Sequence, residues 1–257
     1  MKYMGSKRRL AKYISPIIQG FIESGNYKTY IEPFVGGANM IEAVKCDVRC
    51  GSDVNKYLIA CLKVAADGNA EIFPDKITEE EYNTIKDHKA CYAEWLVGFC
   101  GFNATFGSKW FGGYARPRKG TGYDRDVICG KNALIKQGPL IEDVDFTCHS
   151  YKNWAPENCV VYCDPPYQGA TGYKDKFNHI DFWNWCQKYA RPEFNNVILV
   201  SEYTAPSFCT EAIWTKEIEN TLSKDAKGKK GIEKLFWVKD RNSTQRRIPK
   251  NSKGLPY

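Results

Sequence analysis

The sequence predicts an α/β protein, a doubly wound, Rossmann-like sheet with flanking helices, split by one inserted region. Three observations predict it. Within residues 8–53, a helical pattern, a short apolar strand, a glycine-rich turn and a second strand follow one another. Short apolar runs return at Val160-Val161-Tyr162-Cys163 and Val197-Ile198-Leu199-Val200, with a helical stretch at about 179–190 between them. From Gly98 to Arg125 the regular patterning gives way to glycine, proline, aromatic and basic residues, so this stretch reads as loop and hairpin.

Taken in order, Leu10, Ile14, Ile17, Ile18 and Phe21 recur at helical spacing and predict a helix over 8–23. Tyr30-Ile31-Glu32-Pro33-Phe34 predicts a strand, Met40-Ile41-Glu42-Ala43-Val44 the start of a helix, and Val48-Arg49-Cys50-Gly51-Ser52 a strand ending at Asp53. Helices are expected over 55–66 and 79–99, the second opened by the capping pattern Thr78-x-x-Glu81. Phe146-Thr147-Cys148 is the next strand, and Leu235-Phe236-Trp237-Val238 a late one after the loop Lys227-Gly228-Lys229-Lys230-Gly231. The expected body therefore comprises residues 1–60 and 146–257, with 61–145 inserted.

At 257 residues and 43% hydrophobic composition the chain can bury one good core plus a smaller appendage. A mean hydropathy of -0.51 with 14% aromatic residues excludes disorder and a membrane composition. The segment Met1-Lys2-Tyr3-Met4-Gly5-Ser6-Lys7 lacks the apolar core of a signal peptide, so a soluble cytoplasmic protein is expected. The eleven cysteines are odd in number, contain no Cys-x-x-Cys pair and are accompanied by only three histidines. They read as reduced, mostly buried thiols, with no metal centre. The net charge of +7 is unevenly spread: +5 in residues 1–12, +4 in 105–131, +7 in 216–257 and -9 in the remainder. Basic segments on an acidic body suit a polyanion, nucleic acid first, as well as solvated lysine-rich loops.

Four stretches carry chemistry. In Glu32-Pro33-Phe34-Val35-Gly36-Gly37-Ala38-Asn39 small residues follow a strand and let a ligand approach the backbone, which makes Pro33, Phe34 and Gly36 candidate cofactor contacts. The G-x-G-x-x-G spacing is absent, which counts against a dehydrogenase. Asp53, at the end of the next strand, is placed to accept hydrogen bonds from two ribose hydroxyls, or to cap the following helix. Asp164-Pro165-Pro166-Tyr167 directly follows an apolar strand. Its prolines stiffen the chain, and its carboxylate, the Pro165 carbonyl and the Tyr167 ring suit an exocyclic amine on a planar base. Lys2-Tyr3-Met4-Gly5-Ser6-Lys7 is the fourth, a lysine near a Gly-Ser turn.

In their order, these four stretches resemble the DNA adenine-N6 methyltransferase family typified by the bacterial Dam methylases and their phage relatives. The insert is similar to that family's recognition segment through Gly101-Phe102-Asn103 and the run Phe106-Gly107-Ser108-Lys109-Trp110-Phe111-Gly112-Gly113-Tyr114. Val200-Ser201-Glu202-Tyr203 and Glu233-Lys234-Leu235-Phe236 resemble late segments of phage members. The resemblance implies a class I S-adenosylmethionine-dependent methyltransferase fold, with 61–145 as target-recognition region. It implies S-adenosyl-L-methionine as cofactor, held by Tyr3, Lys7, Asp53, Tyr151 and Asp164. It implies catalysis by Asp164, Pro165 and Tyr167 on the N6 amine of a flipped adenine. The family's second turn glycine is Ala38 here, a residue unstrained only if its φ is negative.

Double-stranded DNA is the expected partner, with no membrane, and with a monomer or weak dimer both open. Lys109, Arg116, Arg118, Lys119 and Arg125, set among Gly, Pro and aromatic residues, are the expected DNA contacts. An RNA adenine-N6 methyltransferase and a non-catalytic nucleic-acid-binding relic are the alternatives.

Overall fold

The computed structural model of the chain describes residues 1–116, 125–168, 177–209, 211–219 and 230–240. Seven strands form one sheet: β1 (Thr29–Glu32), β2 (Val48–Asp53), β3 (Val144–Cys148), β4 (Val160–Cys163), β5 (Val197–Glu202), β6 (Ala212–Glu219) and β7 (Lys230–Val238). Their order is β3-β2-β1-β4-β5-β7-β6. β2 and β3 are parallel, as are β1, β4 and β5, whereas β7 runs antiparallel to both β5 and β6. This is the mixed α/β sheet expected of a class I methyltransferase fold. The α-helices among the described residues are α1 (Arg8–Gly25), α2 (Lys56–Ala66), α3 (Glu79–Asp87), α4 (Glu94–Asn103), α5 (Arg125–Ile141) and α6 (His179–Tyr189).

The chain divides into two compact units. The first comprises Met1–Lys12, Val35–Val44 and Val48–Tyr151, and the second Tyr13–Phe34, Lys45–Asp47 and Lys152–Tyr257. In the first unit α2 is the central helix, with Leu58, Cys61, Leu62 and Ala65 fully buried. Asn55 caps it, its side chain accepting from the amides of Tyr57 and Leu58. α4 lies backbone to backbone on α2, because a Cβ at Gly98 would stand 2.0 Å from the Tyr57 carbonyl oxygen. In the second unit β4 and β5 are buried along their whole length. Phe182 and Trp183 of α6 are buried, and Trp183 meets Phe236 of β7 edge-on at 6.5 Å.

Several elements differ from expectation. The helix expected from Met40 is a single 3-10 turn, Ile41–Ala43. The buried guanidinium of Arg49 takes the carbonyls of Ile41 and Val44 at 2.8 and 3.3 Å, acceptors that a continuing helix would use for its own amides. The helix expected over 79–99 is two, α3 and α4, separated by the 3-10 turn Lys89–Cys91. Periodicity does not register the change of axis that brings Gly98 onto α2. The capping box at Thr78 and Glu81 is present. Helix α4 runs on to Asn103 inside the expected loop region, after which Thr105 and Tyr114 form a β-bridge.

Helix α5 and strand β6 were not expected. α5 contains Gly130, Gly138 and Pro139, all poor helix formers, and the two glycines lie directly against Asn103 of α4 and the Ala65 carbonyl of α2. Lys230 and Gly231, expected in a loop, belong to β7, because pairing with Glu219 and Ile218 of β6 carries the strand that far. Residues 227–229 of that loop lie outside the described residues. Six cysteines are buried, whereas Cys91, Cys129 and Cys148 are exposed. No helix among the described residues is long and apolar enough to cross a membrane.

Candidate functional site

In the first unit the candidate cofactor residues gather at the carboxyl ends of β2 and β3. Asp53 is the last residue of β2 and pairs in register with Cys148, three residues before the buried Tyr151. Asp53 does not cap α2, since Asn55 does. Instead its carboxylate accepts the Asn55 amide at 2.9 Å. Burial pushes the Asp53 carboxyl up from 3.8 to about 6, against the amides of Asn55, Gly36 and Val54, which favour the ionised form. Asp53 is half-buried, so its carboxylate is held at the strand end within reach of a polar ligand.

Beside it lies the turn that follows β1. Gly36 has φ +48, and a Cβ there would stand 3.0 Å from the Tyr3 ring, so the glycine is required by the approach of Tyr3. Ala38 has φ +56 and is fully buried, so it carries the left-handed strain that a glycine would avoid. The turn is pinned from α5: the buried side chain of Gln137 donates to the Gly37 and Ala38 carbonyls at 3.0 and 3.2 Å. Asn39 donates to the Met1 carbonyl at 3.0 Å. The Tyr3 ring leans on Phe102 at 5.3 Å, and Lys7 is half-buried at the start of α1, its carbonyl accepting from Leu10 and Ala11. Tyr3, Gly36 and Asp53 thus come together in one place, with Tyr151 at the adjacent strand end.

The candidate catalytic residues lie in the second unit. Asp164 is half-buried where β4 ends, Pro165 is buried, and Tyr167 is half-exposed. The Tyr167 hydroxyl donates to the Glu233 carboxylate on β7. Its ring meets Tyr203 edge-on at 4.7 Å. Glu202, the last residue of β5, accepts the Gln168 amide at 3.1 Å and the Tyr203 amide at 2.8 Å. Burial, with smaller contributions from Asp164 and Glu233, raises the Glu202 carboxyl from 4.5 to about 7. Burial first, then the charges of Asp164 and Glu233, holds the Tyr167 hydroxyl protonated well above its usual range. Glu32 ends β1, is 2% exposed and accepts from the Tyr30 hydroxyl at 2.7 Å. The other two predicted cofactor contacts follow it: Pro33 is buried, and Phe34 packs edge-on against Phe177 and Phe182 at 5.7 and 5.5 Å.

Four acidic residues, Glu32, Asp164, Glu202 and Glu233, therefore stand at or near the edge where β1, β4 and β5 end. Of these, only Asp164 is a candidate site residue by sequence; Glu32, Glu202 and Glu233 lie in the family-like stretches without a role of their own. An acid closing an otherwise apolar strand, as in Val197–Glu202, is the signal that marks Glu202. Glu233 lies in a segment that resembles phage members of the family, with no role marked for it, and Gln137 carries no local signal.

Of the expected DNA contacts, Lys109 is exposed in the loop between Thr105 and Tyr114. Arg116 is 74% exposed and forms a two-pronged pair with Glu79 at 2.5 and 3.0 Å. Arg118 and Lys119 lie outside the described residues, and Arg125 begins α5.

The family described as D12 class N6 adenine-specific DNA methyltransferase matches residues 3–227. A curated relative, the type II methyltransferase M.FokI of Planomicrobium okeanokoites, is 24% identical over 216 residues. That match covers 73% of this chain and 32% of the relative, so the chain spans about a third of its length. The solved structure of SMU.472 complexed with SAH aligns with 13% identity and a TM-score of 0.33, over 91% of this chain and 54% of that one.

Proposed function

The chain belongs to the D12 class of N6 adenine-specific DNA methyltransferases, and from that premise we propose that it methylates the N6 amine of an adenine flipped out of double-stranded DNA, with S-adenosyl-L-methionine as methyl donor. The carrying observation is the rigid Asp164-Pro165-Pro166-Tyr167 segment at the end of a fully buried strand, its aromatic ring tethered by a buried glutamate.

The residues present fit an adenosine-bearing donor. Asp53 would accept from the ribose hydroxyls, with Tyr3, Lys7, Gly36 and Tyr151 of the same unit around it; Pro33, Phe34 and Asp164 are proposed as cofactor contacts on the sequence and its family resemblance alone. When bound, this group supplies an electrophilic methyl on a sulfonium centre. The adenine amine is a poor nucleophile, because its lone pair is delocalised into the ring. The Asp164 carboxylate and the Pro165 carbonyl accept its two N–H bonds, which favours a tetrahedral nitrogen with a freed lone pair. Positioning and electrostatics thus carry the catalysis. An adenine inside a duplex is out of reach, so it is extruded and stacked on Tyr167, at about 1–3 kcal/mol of stacking per base. The segment 107–126 sets the target sequence, within the region 61–145. Lys109 and Lys119 act on phosphates, and Arg116, Arg118 and Arg125 supply the guanidinium groups suited to base edges. The enzyme works in the cytoplasm on DNA.

Expression in a methylation-free host, with N6-methyladenine mapped by single-molecule sequencing, tests this. A single recurrent methylated sequence is expected. Unmodified DNA from cells holding folded protein would refute it.

A further inference from the structure

Residues 164–168 leave β4 through two prolines, which offer no backbone amides. The segment must therefore be held by its side chains and by the amides that remain. Two glutamates do this, both from other strands of the same unit. The Tyr167 hydroxyl donates to Glu233, and the next amide, that of Gln168, donates to Glu202 at 3.1 Å. Glu202 and Glu233 are 1% and 2% exposed, so each is a buried carboxylate placed where a donor meets it. The Tyr203 and Tyr167 rings also meet at right angles, 4.7 Å between centroids.

A ring needed only as a stacking surface has no use for a fixed hydroxyl, and phenylalanine would serve as well. We infer that Glu233 is a positioning residue, which fixes the direction of the Tyr167 ring through the hydroxyl before any base arrives, with Glu202 holding the adjoining backbone. This rests on the methyltransferase reading above. Fixing one side chain in advance is worth about two- to tenfold in an association equilibrium. The effect on methyl transfer is larger where ring and amine acceptors must be held together.

The test measures single-turnover methyl transfer to duplex DNA by the wild type, Tyr167→Phe, Glu233→Leu, the double variant and Glu233→Gln. Tyr167→Phe and Glu233→Leu should each slow transfer roughly tenfold, and the double variant should be no slower than either. Glu233→Gln, which keeps an acceptor at the same reach, should recover most of the loss. Tyr167→Phe within twofold of wild type, or a double variant slowed by the product of the two, overturns the inference. A second readout needs neither DNA nor cofactor: the 19F line of 3-fluorotyrosine placed at position 167. It should shift and broaden in Glu233→Leu and return in Glu233→Gln, and an unchanged line in Glu233→Leu overturns the brace. If the wild type methylates no DNA, the methyltransferase reading falls, and the 19F comparison still decides whether Glu233 holds the ring.

Discussion

Replacing Asp53 by asparagine should move stability and cofactor affinity in opposite directions. Burial raises the Asp53 carboxyl from 3.8 to about 6, so the folded protein disfavours the ionised form that prevails at neutral pH. A shift of about two units corresponds to about 3 kcal/mol of destabilisation above pH 6. Asp53 is only half-buried, and solvent screening reduces this to about 1–2 kcal/mol. The stabilising effect of the raised value is fully present below pH 3.8 and is lost as pH climbs through about 6. Asp53→Asn, which has no such titration, should match wild type at low pH and exceed it by about 1–2 kcal/mol at pH 7.5. Cofactor binding should go the other way. A hydrogen bond to an ionised acceptor is worth about 1.5–3 kcal/mol, so the variant should bind S-adenosylmethionine roughly 10- to 100-fold more weakly. Wild-type affinity should rise between pH 5 and 7 as the carboxylate forms, and that of the variant should stay flat. Calorimetric titration and urea denaturation across this pH range read both effects. Equal affinity in the two proteins, or an asparagine variant less stable at pH 7.5, would refute the reasoning.

Gln137→Ala removes the side-chain donor shared by the Gly37 and Ala38 carbonyls and the acceptor of the buried Met1 amine, costing about 1–3 kcal/mol in chemical denaturation and weakening cofactor binding with it. Cofactor affinity unchanged in a folded variant would separate the turn from the binding site. Gly98→Ala places a Cβ 2.0 Å from the Tyr57 carbonyl oxygen and should lower stability by about 3 kcal/mol, whereas an unshifted melting temperature would contradict the close approach of α4 and α2. Glu79→Gln releases Arg116 from an exposed pair and should raise DNA affinity by at most about fivefold at low salt. A weaker complex in a fluorescence anisotropy titration would show that the pair, rather than the free arginine, serves binding.

Residues whose role depends on their own few neighbours were legible in the amino-acid sequence. Asp53 ends one short strand and Asp164 directly follows another, and the carboxyl end of a strand in a doubly wound sheet is where ligands bind. The alternation of short apolar runs with helical spacing determined the fold class for the same reason, since burial of one helix face or of a whole strand leaves its mark within ten residues. The Thr78–Glu81 capping box is equally local.

Only the tertiary structure decided what depends on residues far apart in the chain. Tyr167 and Glu233 are 66 positions apart, and Gln137 reaches Gly37 across 100. Neither glutamate nor glutamine carries any local pattern for such a role. The break between α3 and α4, the truncation of the expected helix at Ile41–Ala43 and the left-handed Ala38 also arise from contacts: Gly98 on Tyr57, Arg49 on the turn carbonyls, Gln137 on the Ala38 carbonyl. Propensity and periodicity sum energies along the chain. A buried hydrogen bond between distant segments outweighs them, because leaving a desolvated donor or acceptor unmatched costs more than bending a helix or straining one residue.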